Sequence, residues 1–334
     1  MKNKALMIFH GDCDGVISAG LYIRHFLLDY YPSNLVMRYS HPWRLHIDLK
    51  KFLSLIKKDD IDTIVLLDLA INNDVIKILS DYLRNSRARV IIVDHHLSSQ
   101  HILETIKNSE NIKVYWGNLQ STPQVLSSYL IKNLNSYEQS LVSIANICEG
   151  GGSDNIINKN IADKVKLVLA VEPTNEKLIL ETVISIVKGE EFWNSKTFDE
   201  KFNRAKWLLN LLIKRIEERS KEVCGWRYAV FTSAESLIFA GLFGIASSEY
   251  IKKCKAPLVL LREEEDKIVL TIRSAEGKAL EFCRTIYTEF NNVMDISYGG
   301  HKEAASATIR NYGSLKQFEE IFIKFLQKNL CDKT

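Results

Sequence analysis

Proline is scarce in this chain, 5 among 334 residues, and there is neither a tandem repeat nor a low-complexity tract. Repeat and low-complexity architectures are therefore excluded. An excess of one charge is missing too: 44 Lys and Arg against 41 Asp and Glu leave a net charge of +3. Global charge thus announces neither a nucleic-acid nor a membrane partner, and an anionic substrate would need local positive charge and metal to hold it. The six cysteines, at positions 13, 148, 224, 254, 283 and 331, form no CxxC pair and no disulfide-like spacing. That argues against a zinc ribbon and leads us to expect a reduced, cytoplasmic chain. No apolar run approaches the length of a bilayer span. The chain enters a strand almost at once, with no sign of a signal peptide. What remains is an ordinary composition, 46% hydrophobic and 25% charged, and enough length for two domains with a core each.

One stretch near the start organises the reading: Leu6-Met7-Ile8-Phe9-His10-Gly11-Asp12-Cys13-Asp14-Gly15. An apolar strand ends in a histidine and two aspartates at alternate positions, then a glycine opens a helix-like run over Val16–Tyr30. If the extended geometry continued, the three polar side chains would point the same way, at the end of a strand where open α/β sheets place their sites. Packing needs no carboxylates there, and their repulsion opposes them unless a cation intervenes. The plainer alternative is a solvated turn with aspartate as a helix cap.

The pattern then repeats. Asn34–Tyr39 reads as a second strand. Helical Lys50–Lys58 leads to the apolar run Thr63–Leu67, which ends in Asp68. Helical Asn73–Arg84 leads to Val90–Val93, which ends in Asp94-His95-His96. Alternating strands and helices imply a mostly parallel sheet with right-handed crossovers, so three strands deliver acids and histidines to one sheet edge. The histidines at 25, 41, 46 and 101 have no acidic cluster beside them and read as surface or packing residues. Beyond the strand Lys113–Trp116, Ser121-Thr122-Pro123 is a helix start, with helices over Pro123–Leu134 and Tyr137–Ile147. Next, Glu149-Gly150-Gly151-Gly152-Ser153-Asp154 breaks the helical pattern. Its backbone could carry Asp154 close to a charged centre.

Lys159–Lys188 is helical and apolar, and Phe198–Glu222 reads as one long amphipathic helix. We expect an α/β protein in three parts. Residues 1–195 form a mostly parallel sheet with helices on both faces, 196–223 a helical linker, and 224–334 a smaller α/β domain with a mixed sheet. In the last part, two strands flank the acidic turn Glu263–Asp266 as a hairpin.

His10, Asp12, Asp14, Asp68, His95, His96 and Asp154 form a donor set of carboxylates and imidazoles without thiolate. It suits Mn²⁺, with Mg²⁺ or Co²⁺ as substitutes, and it has too many donors for one ion. Together with Asp94-His95-His96, the His10-x-Asp12-x-Asp14 opening and Asp68, the chain resembles the DHH phosphoesterase superfamily. Ile272-Arg273-Ser274 and Gly299-Gly300-His301-Lys302-x-Ala304-Ala305 resemble the arginine and glycine-histidine motifs of the C-terminal domain in RecJ-like nucleases and oligonucleotide phosphodiesterases. The resemblance spans roughly residues 4–310.

The resemblance implies two Mn²⁺ ions, one on His10 and Asp12, the other on Asp14, His95 and Asp154, with Asp68 bridging. It gives His96 an acid or charge-stabilising role and makes Asp94 the group that orients an imidazole. Arg273, Ser274, Gly299, Gly300 and His301 would bind substrate. Asp154 follows Gly-Gly-Gly-Ser where many relatives carry Ala-Asp or Thr-Asp. The implied activity is hydrolysis of short single-stranded RNA or DNA to mononucleotides, or of a cyclic dinucleotide or pAp. An inorganic pyrophosphatase is disfavoured by the glycine-histidine motif. A non-catalytic scaffold is disfavoured by the full ligand set. A homodimer, or docking on a replication or repair complex, is left open.

Overall fold

The computed structural model describes residues 4–56 and 60–331, and the chain divides into two compact units, Met1–Phe202 and Asn203–Thr334. The first unit runs β1 Lys4–His10, α1 Cys13–Tyr22, β2 Leu35–Ser40, α2 Leu45–Leu55, β3 Ile61–Leu67, α3 Asn73–Leu83, β4 Arg89–Asp94, α4 Gln100–Ile106 and β5 Ile112–Trp116. Four helices follow: α5 Thr122–Tyr129, α6 Ser136–Cys148, α7 Ile156–Val171 and α8 Glu176–Lys188. The helix α9, Lys196–Arg219, contains the division between the units. The end of the helix expected over Lys50–Lys58 lies outside the described residues.

The five strands lie in the order β2-β1-β3-β4-β5, and every pairing is parallel. Strand periodicity explains the layers. In β1, Ala5, Met7 and Phe9 face one way and pack with α1, α5, α6, α7 and α8. Leu6 and Ile8 face the other way and pack with α2, α3 and α4. Both sets are fully buried, which is why the strand reads as a continuous apolar run. The expected α/β class with helices on both faces is what the chain adopts.

The second unit runs β6 Lys221–Val223, β7 Trp226–Phe231, α10 Ser233–Ile238, α11 Phe243–Cys254, β8 Leu258–Glu264, β9 Lys267–Arg273, α12 Ala279–Phe290, β10 Asp295–Gly300, β11 Ala304–Arg310 and α13 Leu315–Leu326. Its sheet is mixed, in the order β10-β11-β9-β8-β7-β6, with β7 and β8 parallel and the other pairs antiparallel. The hairpin at the acidic turn forms as expected. Gly299 and Gly300, however, end a strand that sequence periodicity concealed. Gly300 has φ +133°, and a Cβ there would stand 2.5 Å from the Ala304 carbonyl oxygen, so only glycine closes this hairpin.

The cysteines depart from expectation. Cys13 pairs with Cys148, and Cys224 with Cys331, as disulfides. Partners 135 and 107 residues apart leave no spacing signal; the fold alone brings them together.

One buried ion pair locks the turn that follows α1 to α6 and α8. Glu138 is buried and accepts from Arg24 Nε at 2.7 Å, while Arg24 Nη1 donates to the Val187 carbonyl at 2.8 Å. Burial raises the Glu138 pKa. The Arg24 hydrogen bond, the Asn135 N–H and the nearby charges of His25 and Arg24 outweigh that and hold it below its ordinary 4.5. A depressed carboxylate contributes stability above its unfolded pKa and loses it as pH falls. Glu138→Ala should therefore cost about 2–4 kcal/mol at pH 7, by stranding the guanidinium. The loss should shrink as pH falls below the ordinary value. Urea melts at pH 7 and pH 3.5 check both statements, and an equal loss at the two pH values contradicts them.

Candidate metal centre

The carboxyl ends of β1, β3 and β4 meet at one edge of the parallel sheet. β1 ends at His10, and Asp12, itself in an extended conformation (φ −101°, ψ −169°), caps α1 by accepting from the Gly15 N–H at 3.0 Å. Asp14 therefore sits in the first helical turn, not on a continued strand as the alternation suggested. The tight strand-to-helix turn explains Gly15: a Cβ there would lie 2.1 Å from the His10 carbonyl oxygen. Asp12 is both a helix cap and a member of the cluster, so the two readings of this motif hold together.

Asp68 follows β3 with φ +56°, a left-handed conformation that costs a non-glycine residue on the order of 1 kcal/mol. It is 1% exposed. Its Oδ2 lies 3.7 Å from His10 Nδ1, and its Oδ1 lies 3.6 Å from His95 Nε2 and 4.0 Å from His96 Nδ1. His10 Nδ1 is 3.0 Å from Asp12 Oδ2, and His95 Nε2 is 3.5 Å from Asp14 Oδ2. Two groups of donors result, His10–Asp12–Asp68 and Asp68–His95–His96, each with ligand atoms within 4.8 Å of one another. Asp68 belongs to both.

The surrounding chain orients these side chains. Asp94 Oδ1 holds His96 Nδ1 at 2.6 Å, the Leu119 carbonyl oxygen lies 3.3 Å from His95 Nδ1, and Trp116 Nε1 donates to the His96 carbonyl at 3.0 Å. Thr122 donates its N–H to Asp14 Oδ2 at 3.1 Å and its hydroxyl to Asp68 Oδ1 at 3.0 Å. Thr122, which the sequence marks only as part of a helix start, ties the start of α5 to two of the acids.

The electrostatics are those of crowded anions. Burial, then the charge of Asp68, raises Asp14 well above the usual carboxylate range. Burial, then the charge of Asp12, raises Asp68. Asp12 is held low: burial opposes ionisation, but His10 and the Gly15 N–H outweigh it. His96 is pushed up to about 9, because its bond to Asp94 overcomes burial. Among the described residues no lysine or arginine pairs with Asp12, Asp14, Asp68 or Asp94, and Asp94 Oδ2 is buried without a hydrogen-bond partner. Oxygen and imidazole donors short of positive charge fit hard divalent cations.

Asp154 is exposed and lies in neither group. Glu149 instead ends α6, next to Cys148, whose bond to Cys13 places it by the Asp12–Asp14 segment (Cα–Cα 6.4 Å). Although the residue as a whole is exposed, crowding by the surrounding chain and then the charges of Asp12 and Asp68 push its carboxyl up to about 7. One signal was there to find: an acid at a helix C-terminus opposes the helix dipole. His41, expected at the surface or in packing, lies edge-on to His10 at 5.7 Å.

In the second unit, Arg273 and the glycine-histidine segment share one sheet end, with Arg273 opposite Ala304 and Gly300 opposite Ala305. Half-buried Arg273 donates to Ser248 Oγ at 3.0 Å and to the Gly244 carbonyl at 3.3 Å, and no carboxylate among the described residues pairs with it. Ser274 is fully buried and its hydroxyl accepts from the Lys278 N–H at 3.3 Å, so it shapes the loop before α12. Gly299, Gly300 and His301 are exposed.

Solved structures share this arrangement of strands and helices. One described as the DHH domain of a member of a ribosomal-protein family aligns with TM-score 0.62 and 15% identity over 98% of this chain and 87% of its own. The pGpG-specific phosphodiesterase PggH from Vibrio cholerae aligns with TM-score 0.59 and 13% identity, covering 98% of this chain and all of its own. RecJ from Thermus thermophilus in complex with Mn²⁺ aligns with TM-score 0.58 and 15% identity over 97% of this chain and 52% of its own. The chain has the DHH-domain fold. No family model and no curated protein matches this DHH-fold chain by sequence.

The shared position of Asp68 predicts its mutant. A carboxylate whose pKa is raised on folding opposes folding once pH rises above its unfolded pKa, so Asp68→Asn should leave the metal-free protein at least as stable at pH 7. Mn²⁺ at a hundredfold excess over Kd should stabilise the wild type by about 2.7 kcal/mol per site, and most of that gain should vanish in the mutant. Calorimetry with and without Mn²⁺ checks both; a mutant that keeps the full gain contradicts the assignment.

Proposed function

We propose that this chain is a metal-dependent phosphodiesterase that hydrolyses short single-stranded oligonucleotides, linear dinucleotides in particular, to mononucleotides. One observation carries the reading: Asp68 turns one oxygen toward His10 and the other toward His95 and His96. Two divalent ions held about a shared carboxylate supply a nucleophilic water and neutralise phosphoryl charge. His10 and Asp12 would serve one ion, Asp14 and His95 the other, and Asp68 both. Glu149, held beside the Asp12–Asp14 segment through the Cys13–Cys148 bond and sensing the charges of Asp12 and Asp68, would take the place expected of Asp154. Mn²⁺ fits these donors, with Mg²⁺ or Co²⁺ as substitutes.

Asp94 engages His96 Nδ1 and so leaves Nε2 free to donate to a phosphate or leaving-group oxygen. Arg273 offers a guanidinium with no competing acid, suited to a substrate phosphate. The glycines before His301 leave room for close approach. The likeness to PggH, named for pGpG and matched over its whole length, supports a dinucleotide-sized substrate. The likeness to Mn²⁺-bound RecJ supports the metal.

The deciding experiment is product analysis with Mn²⁺ on labelled dinucleotides, longer single strands, cyclic di-AMP, pAp and pyrophosphate. Dinucleotides should be cleaved fastest, and EDTA should abolish all cleavage until Mn²⁺ returns. Full activity in a preparation shown to be metal-free would sink the reading.

Arg273 gives a separate test. Arg273→Gln should lower kcat/KM for dinucleotides about ten- to hundredfold, the effect of losing one charge-assisted contact. Bis-p-nitrophenyl phosphate, which lacks the second nucleotide, should lose far less. Parallel loss on both substrates would instead mark Arg273 as a fold residue that braces α11.

A further inference from the structure

An exposed indole stands next to the candidate metal centre. β2 runs parallel to β1 with Ser40 opposite His10, so the segment leaving β2 emerges at the same sheet edge as the donor groups. That segment is His41-Pro42-Trp43-Arg44. The His41 ring meets His10 edge-on at 5.7 Å (81° between planes). The Trp43 indole lies nearly parallel to His41, 6.4 Å away at 8°. The rings therefore form a continuous path from a donor of the site to open solvent.

Trp43 is 61% exposed, yet its backbone is well anchored. It lies in a 3₁₀ turn over Pro42–Arg44 that begins at proline. Arg44 is tied to buried Asp48 at 2.9 Å, and Ser40 Oγ donates to the same carboxylate at 2.7 Å. The Arg44 guanidinium carbon stands 5.5 Å from the indole centroid. A tryptophan this exposed, held on a fixed turn two rings from a donor of the candidate metal centre, is an unusual use of the residue.

We propose that His41 and Trp43 form a stacking platform for the nucleobase of the nucleotide whose phosphate occupies the metal centre. The proposal rests on the phosphodiesterase reading and adds a subsite to it. Every base offers a flat π-face, so such a platform binds bases with little sequence preference. Arg44 over the same ring adds a cation near the sugar-phosphate. The ligand class is thus a nucleoside phosphate, and a phosphate ester without a base would forgo this contact.

The test compares adenosine 5′-monophosphate with ribose 5-phosphate, which share the phosphate and differ in the base. Isothermal titration of the Mg²⁺-loaded chain should show the nucleotide binding about ten- to a hundredfold more tightly, the range that base–aromatic stacking covers. Trp43→Ala should remove most of that preference, and Trp43→Tyr should keep most of it. A melting curve confirms that each variant is folded. A folded Trp43→Ala chain with the wild-type preference overturns the platform, as does a wild type without any preference. If the wild type still cleaves dinucleotides in either case, only the platform fails. A wild type that neither binds these ligands nor cleaves any member of the substrate panel removes the phosphodiesterase reading together with the platform.

Discussion

Repulsion among buried carboxylates is the constraint around which the first unit is built. Asp14 and Asp68 lie almost out of water beside Asp12 and Asp94. Two like charges 4 Å apart repel by about 4 kcal/mol at an effective dielectric constant of 20. The chain offsets part of this with local donors: the Gly15 N–H, the Ser18 hydroxyl, and both donors of Thr122. It offsets more with His10, His95 and His96. The backbone is shaped to the same end, since Asp68 accepts a left-handed conformation and Gly15 gives up its Cβ. The apolar strands β1, β3 and β4 hold the ends in place, because each is fixed by packing on both faces.

The architecture was legible because parallel strands buried on both faces leave apolar runs that need no alignment to see. Thr63–Leu67 and Val90–Val93 announce β3 and β4, and the acids that follow them mark one edge. The hairpin at Glu265-Asp266 was legible for a similar reason, as charge separating two apolar runs. The strand ending in Gly299-Gly300 was hidden, because all its residues but Ile296 are exposed and its last residue has a backbone only glycine tolerates.

Within the site, residues legible in sequence were those that end a strand or open the helix directly after it. Thr122, Glu149 and His41 were not, because each reaches the cluster through tertiary structure. Thr122 arrives with the start of α5, Glu149 with the end of α6, and His41 through the parallel pairing of β2 with β1. The Cys13–Cys148 bond belongs to the same class, joining the His10–Asp14 segment to the helix that carries Glu149. Helical periodicity reports which face of α6 is apolar; it is silent about what stands beyond its last turn.

Elsewhere this chain neutralises its buried charges internally. Glu138 is met by Arg24. Glu235 is met by Arg215 and, at 2.8 Å, by Arg219, and Arg262 is met by Glu264 at 2.7 Å. The acids at the edge of the first sheet and Arg273 in the second unit break that habit. Among the described residues, the acids have histidines but no lysine or arginine, and the arginine has a hydroxyl and carbonyls but no carboxylate. Removing a charge from water without a counter-charge is costly, so a purely structural account would have to explain the same omission in two separate units. Divalent cations would supply the charge missing at the acids, and an anionic group the charge missing at the guanidinium. Each unit, taken by itself, leaves a charge that packing alone does not explain.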